Sequence, residues 1–351
     1  MKQKISIALV LAMMLALLAG CTGTTVVYSP VIESTTPAET AAPASGAVKT
    51  GLAIIPSISD SVSASTDAEG EIKYDITLAA VTVTDDGVIE SCIIDSVPAS
   101  VKFDAAGKIT SDLSAPISTK NELGEAYGMK AYGGAKYEWN EQVAALAAYA
   151  QGKTVEQLRS GAITEAGMAA DADLASTATI YLGGFVSAIE SAVANAAHLG
   201  AQSGDVLKLA SISSTAKSTP ADGETKGLAQ LDTDVTAMTM NGDTITSCYI
   251  DSLQGKVEFD AAGAITTDLT APLLTKNQLG EDYGMKAWGS AIAEWNEQAA
   301  SFAAYVTGKT PADVAGIAVN EKTAPTDADL ATSVTIAVGG FQALIAKAAG
   351  N

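Results

Sequence analysis

Histidine and arginine are almost absent from this chain of 351 residues, which has one histidine, His198, and one arginine, Arg159. A site present in several copies along the chain therefore cannot depend on a histidine base or an arginine clamp in each copy. No nucleophile lies with a histidine or a pair of lysines in both repeats, as a hydrolytic site in each would require. The sequence argues against a hydrolase.

Cysteine is scarce as well, with three residues that lack the spacing of a zinc or redox site. Cys92 and Cys248 lie inside apolar runs typical of strands, and we interpret them as buried small apolar residues. A disulfide bridge between them is the alternative. No metal site is predicted.

Basic residues are few relative to acidic ones. Twenty lysines and arginines face 40 aspartates and glutamates, which gives a net charge of −20. Such a field repels the phosphates of nucleic acids and anionic membrane surfaces. We therefore predict no nucleic-acid partner and interpret the acidic surface as a source of solubility.

The long apolar run of the chain, residues 5–19, is too short for a stable membrane span. Two lysines precede it, and it ends in Leu-Ala-Gly-Cys at residues 18–21. This order resembles the signal peptide and lipobox of bacterial lipoproteins. The resemblance implies a signal peptide at residues 1–20, acyl chains such as palmitate on Cys21, and a lipid anchor on the extracytoplasmic face of the cell membrane.

Beyond Cys21 the chain divides into a linker and two repeats. Residues 21–49 are rich in Thr, Pro, Ala and Ser without an apolar period, which predicts a flexible tether. Residues 92–185 then recur without a gap 156 positions later, with more than half of the positions identical. We interpret residues 50–200 and 205–351 as two tandem homologous domains that fold separately.

Each repeat opens with strand signals. Residues 76–83 and 88–95 are rich in β-branched residues and flank a turn at residues 85–87. The second repeat has Asn241-Gly242-Asp243 as its turn, a strong hairpin signal. Residues 101–109 predict a further hairpin. The first half of each repeat is therefore predicted to be a twisted antiparallel sheet.

The second half of each repeat changes to a helical period. Trp139, Val143, Leu146 and Ala150 fall on one helix face. Thr154 with Gln157 predicts a capping box, and residues 310–313 predict the same start with proline at the first helical position. Sheet first and packed helices after predict an α+β fold for each domain.

Identity between the repeats is strongest at residues 119–142 and 275–298. Lysine, asparagine, tyrosine, tryptophan and glutamine occur there, types that can stack on a flat ring and bind its polar edge. Alternatively, Tyr127 and Trp139 are buried in a helix-packing core. The sequence leaves both interpretations open.

A second motif follows near the end of each repeat. Residues 171–180 recur as 327–336, and Gly-Gly-Phe comes next in both copies. The pattern resembles that of the FMN-binding domain family, which has Asp, two variable residues, Ser or Thr, Gly, Ala, Thr and a helix. It aligns Asp173 and Asp329 with the acid, Ser176 and Thr332 with the first hydroxyl, and Thr179 and Thr335 with the threonine that carries FMN through a phosphoester. Thr177 and Ser333 replace the glycine, and Val334 replaces the alanine of the second copy.

The resemblance implies a covalent FMN cofactor on Thr179 and, less completely, on Thr335, because the branched Val334 is expected to crowd the second site. It implies a flavin transferase that uses FAD and magnesium, and redox partner proteins. The function would be that of an extracytoplasmic electron carrier rather than a catalyst. The alternative is a surface lipoprotein that binds a small ligand or a cell-wall component through paired domains.

Overall fold

Two three-stranded antiparallel sheets, each followed by helices, make up the computed structural model, which describes residues 46–289 and 291–350. The α+β prediction is confirmed at this level, and the two halves are similar. The strands of the first sheet are β1 (Lys49–Ser57), β2 (Gly70–Val83) and β3 (Ile89–Phe103). Those of the second are β4 (Val206–Ser214), β5 (Gly227–Asn241) and β6 (Thr244–Phe259). Each sheet has its middle strand second in the chain.

The helices come after the sheet in both halves. The first half has α1 (Lys120–Leu123), a 3₁₀ helix at Gly124–Tyr127, α2 (Met129–Gly133), α3 (Trp139–Ala150), α4 (Val155–Ala162), α5 (Ala172–Thr177) and α6 (Gly183–Ala194). The second half has α7 (Lys276–Leu279), a 3₁₀ helix at Gly280–Tyr283, α8 (Met285–Gly289), α9 (Trp295–Val306), α10 (Pro311–Ala315), α11 (Ala328–Ala331) and α12 (Gly339–Ala349).

The middle strands are buried on both faces. In β2, Leu78 and Ala80 pack toward the other sheet, whereas Ala79 and Val81 pack against the helices of their own half. Alternation between two apolar environments explains why this strand has a nearly continuous apolar sequence. The layers therefore run helices, sheet, sheet, helices.

The two sheets share one core. The rings of Phe103 and Phe259 stack with centroids 4.1 Å apart, and both are fully buried. The Tyr74 hydroxyl donates to the carbonyl oxygen of Ala229 in the other half at 2.8 Å. The described residues thus belong to one compact unit. The boundaries at residues 200 and 205, and separate folding of the halves, remain predictions.

The helix predictions agree with the structure. Trp139, Val143, Leu146 and Ala150 form the buried face of α3. The predicted capping boxes are present at the starts of α4 and α10, and Pro311 is the first residue of α10. Cys92 and Cys248 are free and buried, and burial raises the pKa of each thiol to about 12. The alternative of a disulfide bridge between them is therefore wrong for this structure.

Two strand predictions differ from the structure. Residues 101–109 do form the predicted antiparallel turn, in which the N–H of Asp104 donates to the carbonyl of Lys108, but its first arm is the end of the long strand β3 and its second arm is a single bridge residue, Ile109. The edge strand β1 was not predicted. Pro56 lies inside it, where an edge strand tolerates the missing N–H.

Several N-terminal predictions cannot be placed. The signal peptide at residues 1–20, Cys21 and most of the tether at residues 21–49 lie outside the described residues. Within residues 46–289 and 291–350, no helix has both the length and the apolar character needed to cross a membrane.

Candidate functional site

The loop that carries Thr179 is held by one buried glutamine of helix α3. The side-chain oxygen of Gln142 accepts hydrogen bonds from the backbone N–H of Thr179 at 2.8 Å and of Ile180 at 3.2 Å. The Thr179 hydroxyl also donates to this oxygen, at 3.2 Å. Gln142 is completely buried and donates its own amide to the carbonyl of Tyr137. The loop is therefore fixed, while the Thr179 side chain is exposed.

The second half has the same arrangement. Gln298 is buried and accepts from the backbone N–H of Thr335 at 2.8 Å and of Ile336 at 3.2 Å. The Thr335 hydroxyl donates to it at 3.2 Å. The strongly identical middle section of each repeat is thus in direct contact with the threonine motif, a link that the sequence patterns did not predict. The identical glutamines at equivalent positions were the signal that could have indicated it.

The other motif residues lie on exposed short helices rather than around the threonine hydroxyl. Asp171 caps α5 through the N–H groups of Asp173 and Leu174, and Asp327 caps α11 in the same way. The hydroxyl of Ser176 donates to the carbonyl of Asp173, and the hydroxyl of Thr332 donates to that of Asp329. The hydroxyls of Ser176 and Thr332 therefore stabilise the turn before the threonine, to which Asp173 and Asp329 contribute backbone groups.

The replaced glycine of the motif causes no backbone strain. Thr323 is the non-glycine residue with positive φ among those described, so Thr177 and Ser333 adopt ordinary backbone conformations. The expected crowding by Val334 is wrong, because Val334 and its counterpart Ala178 are both buried and point into the core. A difference in flavin loading between Thr179 and Thr335 therefore needs another cause.

Helix α6 begins four residues after Thr179 with two glycines. The N–H of Gly183 donates to the carbonyl of Gly167 at 3.1 Å. The N–H groups of Gly184 and Phe185 have no partner among the described residues. The ring of Tyr181 covers Gly183, whereas a Cβ added to Gly184 would have Tyr181 Cε1 as its nearest neighbour, 4.0 Å away. The start of this 12-residue helix is thus open at its second residue.

A lysine lies over two aromatic rings beside this helix. The Lys120 Nζ is 5.2 Å from the ring centroids of both Tyr127 and Trp139, and Trp139 meets Phe185 edge-on at 5.6 Å. Trp139 is only 4% exposed, so its face is not free to stack on a ligand. The buried interpretation of the middle section holds for this tryptophan, and the ammonium of Lys120 lies over the same ring.

Much of the identity in the middle section maintains local structure. Thr119 forms a capping box with Glu122 at α1. The buried carboxylate of Glu138 accepts the N–H groups of Met129 at 2.8 Å and Lys130 at 3.1 Å. These contacts tie the short helices to α3 and fix the surroundings of Gln142.

One pair of buried polar atoms remains unexplained by this structural role. The side-chain oxygens of Asn140 and Asn296, at equivalent positions, are buried without a hydrogen-bond partner within the described part of the chain. Such an acceptor is costly unless a donor reaches it. The carboxyl of Asp251 is also buried, and burial raises its pKa to about 6, against hydrogen bonds from Thr275, Asn277 and Ser252 and the charge of Lys276, which lower it.

Comparisons with known proteins do not assign the chain to a family. No protein-family model, no curated protein and no solved structure matches the chain. Among the described residues no group of three or more His, Cys, Asp or Glu side chains could hold a metal ion. The arguments for function therefore rest on the residues and their geometry.

Proposed function

We propose that the protein is a membrane-anchored extracytoplasmic lipoprotein that carries FMN on Thr179 and transfers electrons between a donor in the membrane and an acceptor protein outside it. We further propose that the two halves arose by duplication of one FMN-binding-like domain. The observation that carries the proposal is that Thr179 is an exposed residue on a loop held by the buried Gln142, to which its hydroxyl also donates.

The loop contacts are compatible with an ester on Thr179. An ester at its Oγ1 removes one hydrogen bond to Gln142. The backbone N–H groups of Thr179 and Ile180 still donate to the same oxygen, so the loop keeps its position. A modified side chain on a fixed backbone is what a carrier needs, because electron transfer depends on a constant position of the cofactor.

The surroundings of Thr179 fit a flavin phosphate. The free N–H groups at the start of α6 and the helix dipole favour an anion there, and Gly184 leaves the backbone open. The ammonium of Lys120 would add charge attraction.

Attachment requires a simple exchange of phosphate bonds. The Thr179 Oγ1 forms a bond to the flavin-side phosphorus of FAD, the pyrophosphate bond breaks, and AMP leaves while the hydroxyl proton is released. A threonine hydroxyl is a weak nucleophile, so a separate flavin transferase with magnesium would catalyse the step. Once attached, the flavin supplies one- or two-electron transfer.

Covalent flavin can be tested on denatured protein. We would coexpress the chain with a flavin transferase and measure flavin fluorescence on a denaturing gel. We expect a fluorescent band that is lost in Thr179→Val and kept in Thr335→Val. A band of equal intensity in Thr179→Val would contradict attachment at Thr179.

Localisation is tested separately. Acyl chains on Cys21 would hold the protein at the membrane. We expect Cys21→Ser to appear in the soluble fraction after a salt wash, while the parent chain stays with the membranes. Retention of the variant would argue against the lipid anchor.

A second candidate function is the binding of a ring-shaped ligand, such as a sugar of a cell-wall polymer. It is favoured by Tyr132 and Trp288, which occupy equivalent positions and are 91% and 90% exposed. Exposed aromatic faces can stack on rings. Binding of purified cell wall that is lost in the double variant Tyr132→Ala and Trp288→Ala would support this candidate.

A further inference from the structure

The two halves differ at one strand position that faces the start of the motif helix. In the first sheet, Thr77 pairs with Ile55 and Ser96. In the second sheet, Asp234 pairs with Ile212 and Ser252 at the same register. A neutral hydroxyl in the first half therefore corresponds to a carboxylate in the second.

The carboxylate lies at the N-terminus of helix α12. The Asp234 Oδ2 is 3.4 Å from the position that a Cβ on Gly340, the second residue of this helix, would occupy. At the equivalent Gly184 of α6, only the Tyr181 ring edge comes within 4.0 Å, and Thr77 does not. A carboxyl group of the protein thus borders the second residue of α12, where the first half has only a ring edge.

A hydroxyl and a lysine, groups that also stabilise a bound phosphate, act on the Asp234 carboxyl. Burial raises the pKa of the Asp234 carboxyl, while the Ser252 hydroxyl and then the positive charge of Lys276 lower it. Lys276 is the counterpart of Lys120 and lies 4.7 Å from the ring centroid of Trp295. The Asp234 carboxylate therefore lies beside a helix start and feels the positive charge of Lys276, and both features attract an anion.

The other two charged residues near Asp234, Lys217 and Asp232, pair with each other. Lys217 forms a salt bridge with Asp232 at 2.9 Å, and Gln230 and Gln254 also donate to that carboxylate. Asp232 and Lys217 thus largely neutralise each other. Asp234 is left as the anion next to Gly340, and a second anion there would be repelled at short range.

We infer that Asp234 is an internal substitute for the flavin phosphate that closes the second half to modification, and that Thr77 leaves the first half open. The inference rests on the proposed function, since it states which of the two threonines carries the flavin. Thr179 is modified and Thr335 is not. The second half keeps the fold of a carrier domain, but the side chain of Asp234 takes the place of the flavin phosphate.

Exchange of the two residues tests the inference. After coexpression with a flavin transferase, we would quantify flavin on the peptides that contain Thr179 and Thr335. We expect the parent chain to carry flavin on Thr179 with at least tenfold less on Thr335. Asp234→Asn should raise loading of Thr335 at least tenfold, whereas the neighbouring Asp232→Asn should not. Thr77→Asp should reduce loading of Thr179 at least tenfold. Thr77→Asn has a similar shape without the charge, so it shows whether the effect of Thr77→Asp is electrostatic.

The contradicting results are specific. Equal loading of both threonines in the parent chain would overturn the inference, as would an equal loss in Thr77→Asp and Thr77→Asn. No gain at Thr335 in Asp234→Asn would also overturn it. Circular dichroism and thermal unfolding of each variant would show that the fold is retained.

A titration with inorganic phosphate separates this inference from the proposed function. We expect phosphate to shift the amide NMR signals of Gly184 and Phe185 in the parent chain, and those of Gly340 and Phe341 only in Asp234→Asn. If no variant carries flavin while a control substrate does, the proposed function fails, and the titration still decides the inference. Shifts at both helices of the parent chain, or at neither, would contradict it.

Discussion

The side-chain oxygen of Gln142 lies 2.8 Å from the backbone nitrogen of Thr179, although 37 residues separate them in the chain. Gln298 and Thr335 repeat this contact at the same distance. One buried amide therefore connects the most strongly identical part of each repeat to the threonine that the motif singles out. The contact gives the middle section a role that stacking on a ligand does not explain.

Loss of this amide should destabilise the protein. Gln142→Ala leaves the N–H groups of Thr179 and Ile180 without their acceptor, and unsatisfied groups cost about 1–3 kcal/mol each. We expect the free energy of unfolding in urea to fall by about 2 kcal/mol or more. Gln298→Ala should cause a similar loss, because its contacts are the same.

Gln157→Ala is the matched control, since this glutamine is exposed and forms only the capping box of α4. Loss of a capping contact costs about 1 kcal/mol or less. If Gln142→Ala were as stable as Gln157→Ala, the buried amide would not fix the threonine loop.

The stacked pair of Phe103 and Phe259 should couple the two halves in unfolding. Both rings are completely buried between the sheets, and truncation of a buried phenylalanine typically costs about 3–5 kcal/mol. We expect Phe103→Ala to lower the midpoint of thermal unfolding while the transition stays single in calorimetry.

Leu158→Ala is a suitable comparison, because Leu158 is buried in the helix–sheet core of the first half alone. If the halves fold separately, Phe103→Ala and Leu158→Ala would each split the calorimetric peak into an early and a late part. That result would support the sequence-based prediction of two separate domains over a shared core.

The buried carboxyl of Asp251 should make stability depend on pH. Its pKa is about 6 in the folded protein, against about 3.9 for an unperturbed aspartate. Between these values the folded state binds more protons than the unfolded state, so the free energy of unfolding falls as the pH rises. The full effect is on the order of 3 kcal/mol.

Asp251→Asn removes this titration and keeps an oxygen that can accept the N–H groups of Ser252 and Asn277. We expect the free energy of unfolding of the parent to fall relative to that of the variant as the pH rises from 4 to 7. Parallel curves of unfolding free energy against pH would show that Asp251 does not titrate in this window.

Local signals were sufficient to predict much of the fold. The capping boxes at Thr154 and Thr310 and the buried face from Trp139 to Ala150 are predictable because they depend on residues three or four positions apart. Strand β1 has no clear sequence signal, because it follows directly on a tether-like segment and contains Pro56.

Contacts between residues far apart in the chain cannot be predicted from local sequence signals. Nothing local indicates that the rings of Phe103 and Phe259 stack, since the contact depends on how two sheets pack. The position of Asp234 beside Gly340 likewise depends on strand register and helix packing together. The motif predicted Thr179 as a site, but only the structure shows what holds its loop.

The central claim, that Thr179 carries FMN, is tested most directly by the intact mass of the protein after coexpression with a flavin transferase. We predict the mass of one FMN phosphoester on most molecules, absent from Thr179→Ala. An unmodified mass for the parent chain, obtained while the same transferase modifies a control substrate, would contradict the claim.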